Sequence, residues 1–419
     1  MSAANNNKMI IFIGDGLGDR PVASLGGKTP LEAQETPNLD HLAANGLSGM
    51  MNPISPGRRV GSDTAHMAIL GYDPFKYYKG RGPFEAKGVG LDLLPGDVAF
   101  RCNFSTVDGR KVIDRRAGRI KSGTEQLAAA VNAKAGLIDG VQCIFKESVE
   151  HRAALLLRGE GLDYRVTEVD PHHENADYPD CQPLPEAAND PGAIKTAAVV
   201  TKWVQLAYEA LREHPVNLER VAEGLPPANI ALPRGVGTAV DLEPFSHKYG
   251  VSGAMIVEVD LVRGLGDYLA MDVIDVPGAT GGQDTDEIAI ARGVVEALQT
   301  HDFVLANIKA PDLGGHDGDA VKKMAAIAKV DNAIGYLLQN LDFNSVVVMV
   351  TGDHCTPVSF MDHTGDAIPA VFYGCGVRPD EVETYGERAA MRGGLGQFTG
   401  EDIMCLLTNF AGVQEKFGA

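Results

Sequence analysis

Three things are scarce in this 419-residue chain, and each scarcity closes off a class of function. Positive charge is the first. Thirty-seven Lys and Arg face 56 Asp and Glu, a formal net charge of −19. Nucleic acids and anionic membranes both require a basic footprint, so neither is expected as a partner. An acidic protein that handles an anion must concentrate positive charge locally, through arginine clusters or metal ions. Paired cysteines are also lacking. The six cysteines (102, 143, 181, 355, 375, 405) are scattered with no Cys-x-x-Cys, which argues against a disulfide framework or zinc ribbon and for a reduced compartment. Long apolar runs are absent too, with no stretch of about 20 apolar residues. The polar N-terminus, MSAANNNK, leads straight into a strand, so a soluble, cytoplasmic protein is expected.

What the chain does have is a series of short apolar runs, each ending in an Asp or His. Val346–Thr351 reads as a strand buried on both faces, and Gly352-Asp353-His354 stands at its C-terminal edge. In open α/β sheets that edge is where ligands bind. Met9–Ile13 is a second such strand, ended by Gly14-Asp15-Gly16-Leu17-Gly18-Asp19. The glycines resemble a dinucleotide turn, but the spacing is not Gly-x-Gly-x-x-Gly, and a carboxylate inside the turn repels a pyrophosphate. Asp15 reads better as a metal ligand. Phe303–Ile308 is a third strand and feeds Lys309-Ala310-Pro311-Asp312-Leu313-Gly314-Gly315-His316. The helix expected over 319–341 carries an apolar stripe at Ile327, Val330, Ile334, Leu337 and Leu341, so it packs on the sheet. Strands alternating with helices predict an α/β core with a mostly parallel sheet.

Ser62 falls where an N-cap is expected before Thr64–Leu70. A hydroxyl at a helix start also meets the positive end of the helix dipole, which favours an alkoxide or a bound phosphoryl group. From about Arg81 the texture changes. Strands are expected near 97–106, 141–149 and 152–157, helices over 124–135 and 191–213, and a boundary loop over Gly224–Gly237. Arg115, Arg116 and Arg119 lie within five positions in an acidic protein and suit convergence on a carboxylate or phosphate. The His172-His173-Glu174 run reads as a loop tip rather than a metal site. Asp15, Asp312, His316, Asp353, His354 and His363 together suit a pair of divalent ions, with manganese or zinc fitting mixed oxygen and nitrogen donors better than calcium. Ser62 is then placed to bridge them and act as nucleophile.

The motifs Gly61-Ser62-Asp63-Thr64-Ala65-His66, Asp312-x-x-x-His316, Gly352-Asp353-His354 and Asp362-His363-Thr364-Gly365-Asp366 resemble the alkaline phosphatase superfamily. With Gly80–Ala86, Arg101–Phe104, Asp114–Ile120 and Gly393–Gly396, the chain resembles more closely the archaeal type of cofactor-independent phosphoglycerate mutase, nearly end to end. The resemblance implies an alkaline-phosphatase-like core (1–80 and 236–419) with an inserted α+β domain (81–235) that closes over substrate. It implies one metal on Asp15, Ser62, Asp353 and His354, a second on Asp312, His316 and His363, and a phosphoserine at Ser62. Manganese is the metal expected, with zinc, cobalt or magnesium as alternatives, and no bisphosphoglycerate is required. Arg115, Arg116, His151, Arg152, Asp170, Arg234 and Lys248 are the implied substrate contacts, and a monomer or small homo-oligomer is expected. Cys355 departs from the family's usual hydroxyl residue after Asp-His, so a hydrogen bond behind the metal ligands is expected to differ. The alternative reading is a phosphatase or phosphotransferase of the same superfamily, including a homoserine-kinase-like relative.

Overall fold

The computed structural model describes residues 7–416 and 418. Among the described residues fourteen strands run in chain order: β1 Lys8–Gly14, β2 Leu47–Asn52, β3 Val98–Asp108, β4 Lys111–Asp114, β5 Leu137–Ile138, β6 Val141–Glu147, β7 Arg152–Arg158, β8 Ile230–Thr238, β9 Gly253–Ile256, β10 Asp272–Val273, β11 Phe303–Ile308, β12 Val346–Thr351, β13 Ile368–Gly374 and β14 Gly396–Thr399. The described residues divide into two compact units, one formed from within 1–77 and 242–419, the other from 78–241.

The discontinuous unit is built on an eight-stranded sheet of order β10-β9-β11-β1-β12-β13-β2-β14. The strands from β10 to β12 are all mutually parallel, while β13 runs antiparallel to both of its neighbours. The central strands β1, β11 and β12 are buried along almost their whole length and, apart from Lys8, Asn307 and Thr351, carry no polar side chain, as expected for parallel strands covered on both faces. One covering helix, Ala320–Asn340, starts at Asp319, whose carboxylate accepts from the Val321 and Lys322 amides. It buries Ala326, Ile327, Val330, Ala333, Ile334 and Leu337 at helical spacing. Truncating one of its fully buried aliphatic side chains to Ala costs about 2–5 kcal/mol, because the removed contacts leave a cavity.

Register decides where the chemistry goes. Gly14 pairs with Ile308, and Ile13 with Thr351. The parallel strands therefore end level, which sets Asp15, Lys309 and Asp353 side by side along one edge.

The other unit carries an antiparallel sheet of order β4-β3-β7-β6-β5, with β8 also paired antiparallel to β3. Side chains alternate along the long strand β3. Phe100, Cys102 and Phe104 enter a core with Trp203, Leu155 and Leu157. Arg101 and Asn103 point to the opposite face. The 224–237 stretch expected as a loop is instead half strand: β8 runs through Pro233, Gly235 and Gly237. Pro and Gly hide the strand signal, and β8 tolerates them because it pairs in the sheet with β3 alone. Among the described residues, no helix is long and apolar enough to cross a membrane.

Candidate active site

At the C-terminal edge of the parallel strands, Asp15, Asp353 and His354 are fully buried and Asp312 nearly so. Ligating atoms of Asp15, Asp312 and His354 lie within 4.8 Å of one another, as do those of Asp312, His316 and His363. The imidazoles of His354 and His363 stack with centroids 3.6 Å apart. Gly16 shapes the turn: its φ of +63° suits glycine, and a Cβ there would lie 2.8 Å from Asp312. Its amide donates to Asp353 Oδ1 at 3.0 Å, while Asp353 Oδ2 is buried with no hydrogen-bond partner. Such an orphaned carboxylate oxygen is costly unless a cation takes it.

Ser62 is the first residue of the helix Ser62–Ile69, and Gly61, in extended conformation, occupies the cap position expected for Ser62. The Ser62 hydroxyl is thus not used to cap the helix and lies 3.3 Å from His354 Nε2. One turn on, His66 Nδ1 meets the Ser62 carbonyl oxygen at 2.7 Å. The Asn307 amide nitrogen then links His66 Nε2 to Asp15 Oδ2, 3.3 Å from each.

Electrostatics separates the carboxylates. Burial and the charge of Asp353 raise the Asp15 pKa. Burial acts the same way on Asp312, but Lys309 and a hydrogen bond from His363 override it and hold that carboxyl well below its ordinary range. Burial and the neighbouring His363 push His354 well down, leaving a neutral imidazole with a free nitrogen lone pair. Buried carboxylate oxygens beside imidazole nitrogens, with no thiolate, form a donor set that fits a divalent ion.

Two residues support these ligands from behind. Thr356 Oγ1 donates to Asp312 Oδ1 at 2.7 Å and lies 3.0 Å from His354 Nδ1, so one hydroxyl orients a ligand from each proposed set. Lys323, fully buried, donates to the Gly18 carbonyl, Asp19 Oδ2 and the Thr356 carbonyl, each at 2.9 Å. Cys355 takes no part in holding the His354 ring. Its sulfur packs where a Cβ on Gly18 would come within 2.2 Å and points toward the Asp366 carbonyl, while Thr356 supplies the hydroxyl to the His354 ring.

A second cluster lies in the inserted unit, on the β3 face that carries Arg101 and Asn103. Arg101 pairs across the sheet with Arg234, and Asn103 with Arg152. Like charges directly opposite are destabilising, so structure alone gives no reason for this choice. Glu85 faces Arg81 at 3.0 Å and Arg101 at 3.4 Å. Asp170 takes a two-point contact from Arg115, at 2.9 and 2.7 Å, and lies 3.5 Å from Arg234. Two buried carboxylates thus face four guanidiniums. Burial and the adjacent Arg152 and Arg101 push His151 down to about 3. Arg101 Nε, Asn103 Oδ1 and His151 Nδ1 are buried with no hydrogen-bond partner. This face fits an anion carrying hydrogen-bonding oxygens.

A family model described as 2,3-bisphosphoglycerate-independent phosphoglycerate mutase matches residues 43–217. A curated protein of that name from Methanosphaera stadtmanae is 48% identical over 415 residues, covering 98% of this chain and all of its own. The chain belongs to the 2,3-bisphosphoglycerate-independent phosphoglycerate mutase family. Its fold is similar to that of a solved protein from Pyrococcus horikoshii, which is 38% identical with a TM-score of 0.84 and 99% of each chain covered. It is also similar to the cofactor-independent phosphoglycerate mutase from Thermoplasma acidophilum, at 38% identity and a TM-score of 0.69, covering 97% of this chain and all of that one. Membership of this mutase family, with the donor set above, implies divalent-metal binding.

Of the residues singled out from the sequence, the seven proposed metal-site residues share one strand-end cluster. Arg115, Arg116, His151, Arg152, Asp170 and Arg234 gather in the inserted unit. Lys248 does not join either group: its ammonium donates to the Gly71 carbonyl at 2.7 Å and lies over the Tyr72 ring. His172 belongs to the arginine cluster, its ring bonded to Glu168 and its amide to Asp170 at 2.9 Å. Lys309, Thr356, His66, Asn307, Arg101 and Asn103 escape sequence reasoning. His66 had a signal in its four-residue spacing from Ser62, and Arg101 in being a charge inside an apolar strand.

Proposed function

We propose that this chain interconverts 3-phosphoglycerate and 2-phosphoglycerate, without 2,3-bisphosphoglycerate, through a phosphoserine at Ser62. The observation that carries the reading is the Ser62 hydroxyl, left uncommitted at a helix start and 3.3 Å from His354 Nε2 beside buried carboxylates. Asp15, Ser62, Asp353 and His354 would hold one ion, and Asp312, His316 and His363 the other. Manganese suits these oxygen and nitrogen donors. Bound ions would supply Lewis acidity, favouring the serine alkoxide and the charge on the transferring group.

Ser62 Oγ bonds to phosphorus as the bond from phosphorus to the C3 oxygen breaks; the serine loses its proton and the departing oxygen gains one. The glycerate turns, and its C2 oxygen loses its proton and takes the phosphoryl group as the Oγ–phosphorus bond breaks and Ser62 Oγ regains a proton. Arg115, Arg116, Arg152 and Arg234, with His151 and the orienting Asp170, are placed in this reading on the glycerate carboxylate and hydroxyls. Arg101 and Asn103 join them. Water must be kept from the phosphoserine, which is the role proposed for the inserted unit.

The test is conversion of 3-phosphoglycerate, with no bisphosphoglycerate added, first in EDTA and then with manganese restored. Turnover that returns with metal and releases little free phosphate is expected. Phosphate release without 2-phosphoglycerate would make the chain a phosphatase instead.

A further inference from the structure

Lys309 stands between the two proposed metal sites. It follows β11 directly, and its backbone amide is fixed by Glu258 Oε2 at 2.7 Å. Its ammonium lies 2.8 Å from Asp15 Oδ1 and 2.8 Å from Asp312 Oδ2, so it joins one carboxylate from each site.

The two carboxylates do not offer it equivalent oxygens. Asp312 gives Lys309 its Oδ2 and keeps Oδ1 for the other side, where Thr356 Oγ1, His316 Nε2 and His363 Nε2 lie at 2.7, 3.4 and 3.5 Å. An ion between His316 and His363 can take Oδ1 without disturbing the lysine. Asp15 has no such division. Its Oδ2 is tied to Asn307, and its Oδ1 faces both Lys309 and, at 3.6 Å, His354 Nε2. An ion entering beside His354 must take the oxygen that the ammonium already holds. Two cations on one carboxylate oxygen repel each other, and burial weakens the screening.

We propose that Lys309 is a resident placeholder cation that makes the two metal sites unequal. The Asp312–His316–His363 site loads first and leaves Lys309 in place, and loading of the Asp15–Asp353–His354 site requires its ammonium to leave Asp15. The inference rests on the metal-site reading above. Lys309 acts here as a positioning residue that sets the order and affinity of loading.

Calorimetric titration of the metal-free protein with Mn²⁺ tests this, comparing wild type with Lys309→Met. Wild type should show two classes of site at least tenfold apart. In Lys309→Met the weaker class should tighten by tenfold or more and approach the stronger one. In a His316→Ala background the remaining class should be the one that Lys309→Met tightens. The metal-free variant should also melt below wild type, with the difference shrinking when both are saturated with Mn²⁺. If metal-free Lys309→Met does not fold, Lys309→Gln, which keeps a hydrogen-bond donor without the charge, should show the same tightening. Weakening or no change of the weaker class, with two ions still bound, overturns the role of Lys309 alone. Failure of wild type to bind Mn²⁺ overturns the metal-site reading together with it.

Discussion

The two units of this chain pose opposite electrostatic problems. At the edge of the parallel sheet, three buried carboxylates gather around one ammonium, Lys309, and the excess is negative. On the face of the antiparallel sheet, four guanidiniums gather around Glu85 and Asp170, and the excess is positive. Each excess is a cost in isolation, and each is relieved by the opposite part of one proposed reaction: divalent ions at the edge, an anionic substrate on the face. The sheets supply these charges differently. A parallel sheet presents whatever follows several level strands, whereas an antiparallel face presents every second residue of strands paired in register.

The largest effect should come from the edge. Ser62→Ala should lower mutase turnover by about 10⁴-fold or more, as expected for loss of a covalent nucleophile. Metal content measured by emission spectrometry at saturating Mn²⁺ should remain close to wild type, because Asp15, Asp353 and His354 still offer donors to the ion that loses Ser62. Substantial residual conversion would remove Ser62 from the reaction.

The counterpart on the face is Arg101→Met, which should reduce kcat/KM for 3-phosphoglycerate by about 10²-fold, the scale for losing a buried charged contact to the transition state. Manganese stoichiometry should not change. If it fell as well, the division of labour between the two regions would be wrong. Thr356→Val keeps the shape but removes the hydroxyl shared by Asp312 and His354, so Mn²⁺ affinity should weaken about 10–100-fold. The KM for phosphoglycerate at saturating metal should barely move. Arg116→Ala, at the exposed rim of the cluster, should raise KM by only about tenfold or less, since exposed charges are screened.

The smallest effects should appear as opposite pH slopes of stability, followed by denaturant unfolding from pH 4 to 8. His151 takes up its proton only near 3 in the folded state, against an ordinary 6.5. The unfolded chain binds that proton first, so the contribution of His151 to stability falls as pH drops below about 6.5, and His151→Gln should flatten that slope. Glu387 is pushed up to about 7 by burial. Its protonated form stabilises the fold fully below about 4.5, and the benefit is lost as pH rises through 7; Glu387→Gln should remove this dependence. Equal slopes in wild type and variant would show that the group titrates alike in both states.

The same contrast explains which site residues are legible in the sequence. Asp15, Asp353 and His354 stand within three residues of a strand end and Asp312 four residues past β11, and in a parallel sheet sequence adjacency to a strand end is nearly spatial adjacency. His316 and His363 come through short local connections. Arg101, Asn103 and Arg234 meet only because β3, β7 and β8 pair in a particular register, which lies across more than 130 residues of chain and includes a shift between Ala99 and Arg101. The strand β8 itself was masked by Pro233 and its glycines. Lys248 illustrates the converse: a cation near the return of the chain looks available until a helix-end carbonyl and two aromatic rings occupy it. Thr356 carries no motif of its own, and only the fold sets its hydroxyl between Asp312 and His354.

The buried ammonium of Lys323 has a consequence for local unfolding. It ties the loop after β1 to the loop after β12 at the carbonyls of Gly18 and Thr356. The Thr356 amide returns to the Gly18 carbonyl, and the Val358 amide to Asp19. Neither loop can peel away without leaving a charge in the core with fewer partners, so the two open as one cooperative unit. Amide hydrogen exchange at Gly16, Thr356 and Val358 should therefore share a single opening free energy, although Gly16 lies some 340 residues of sequence before the other two.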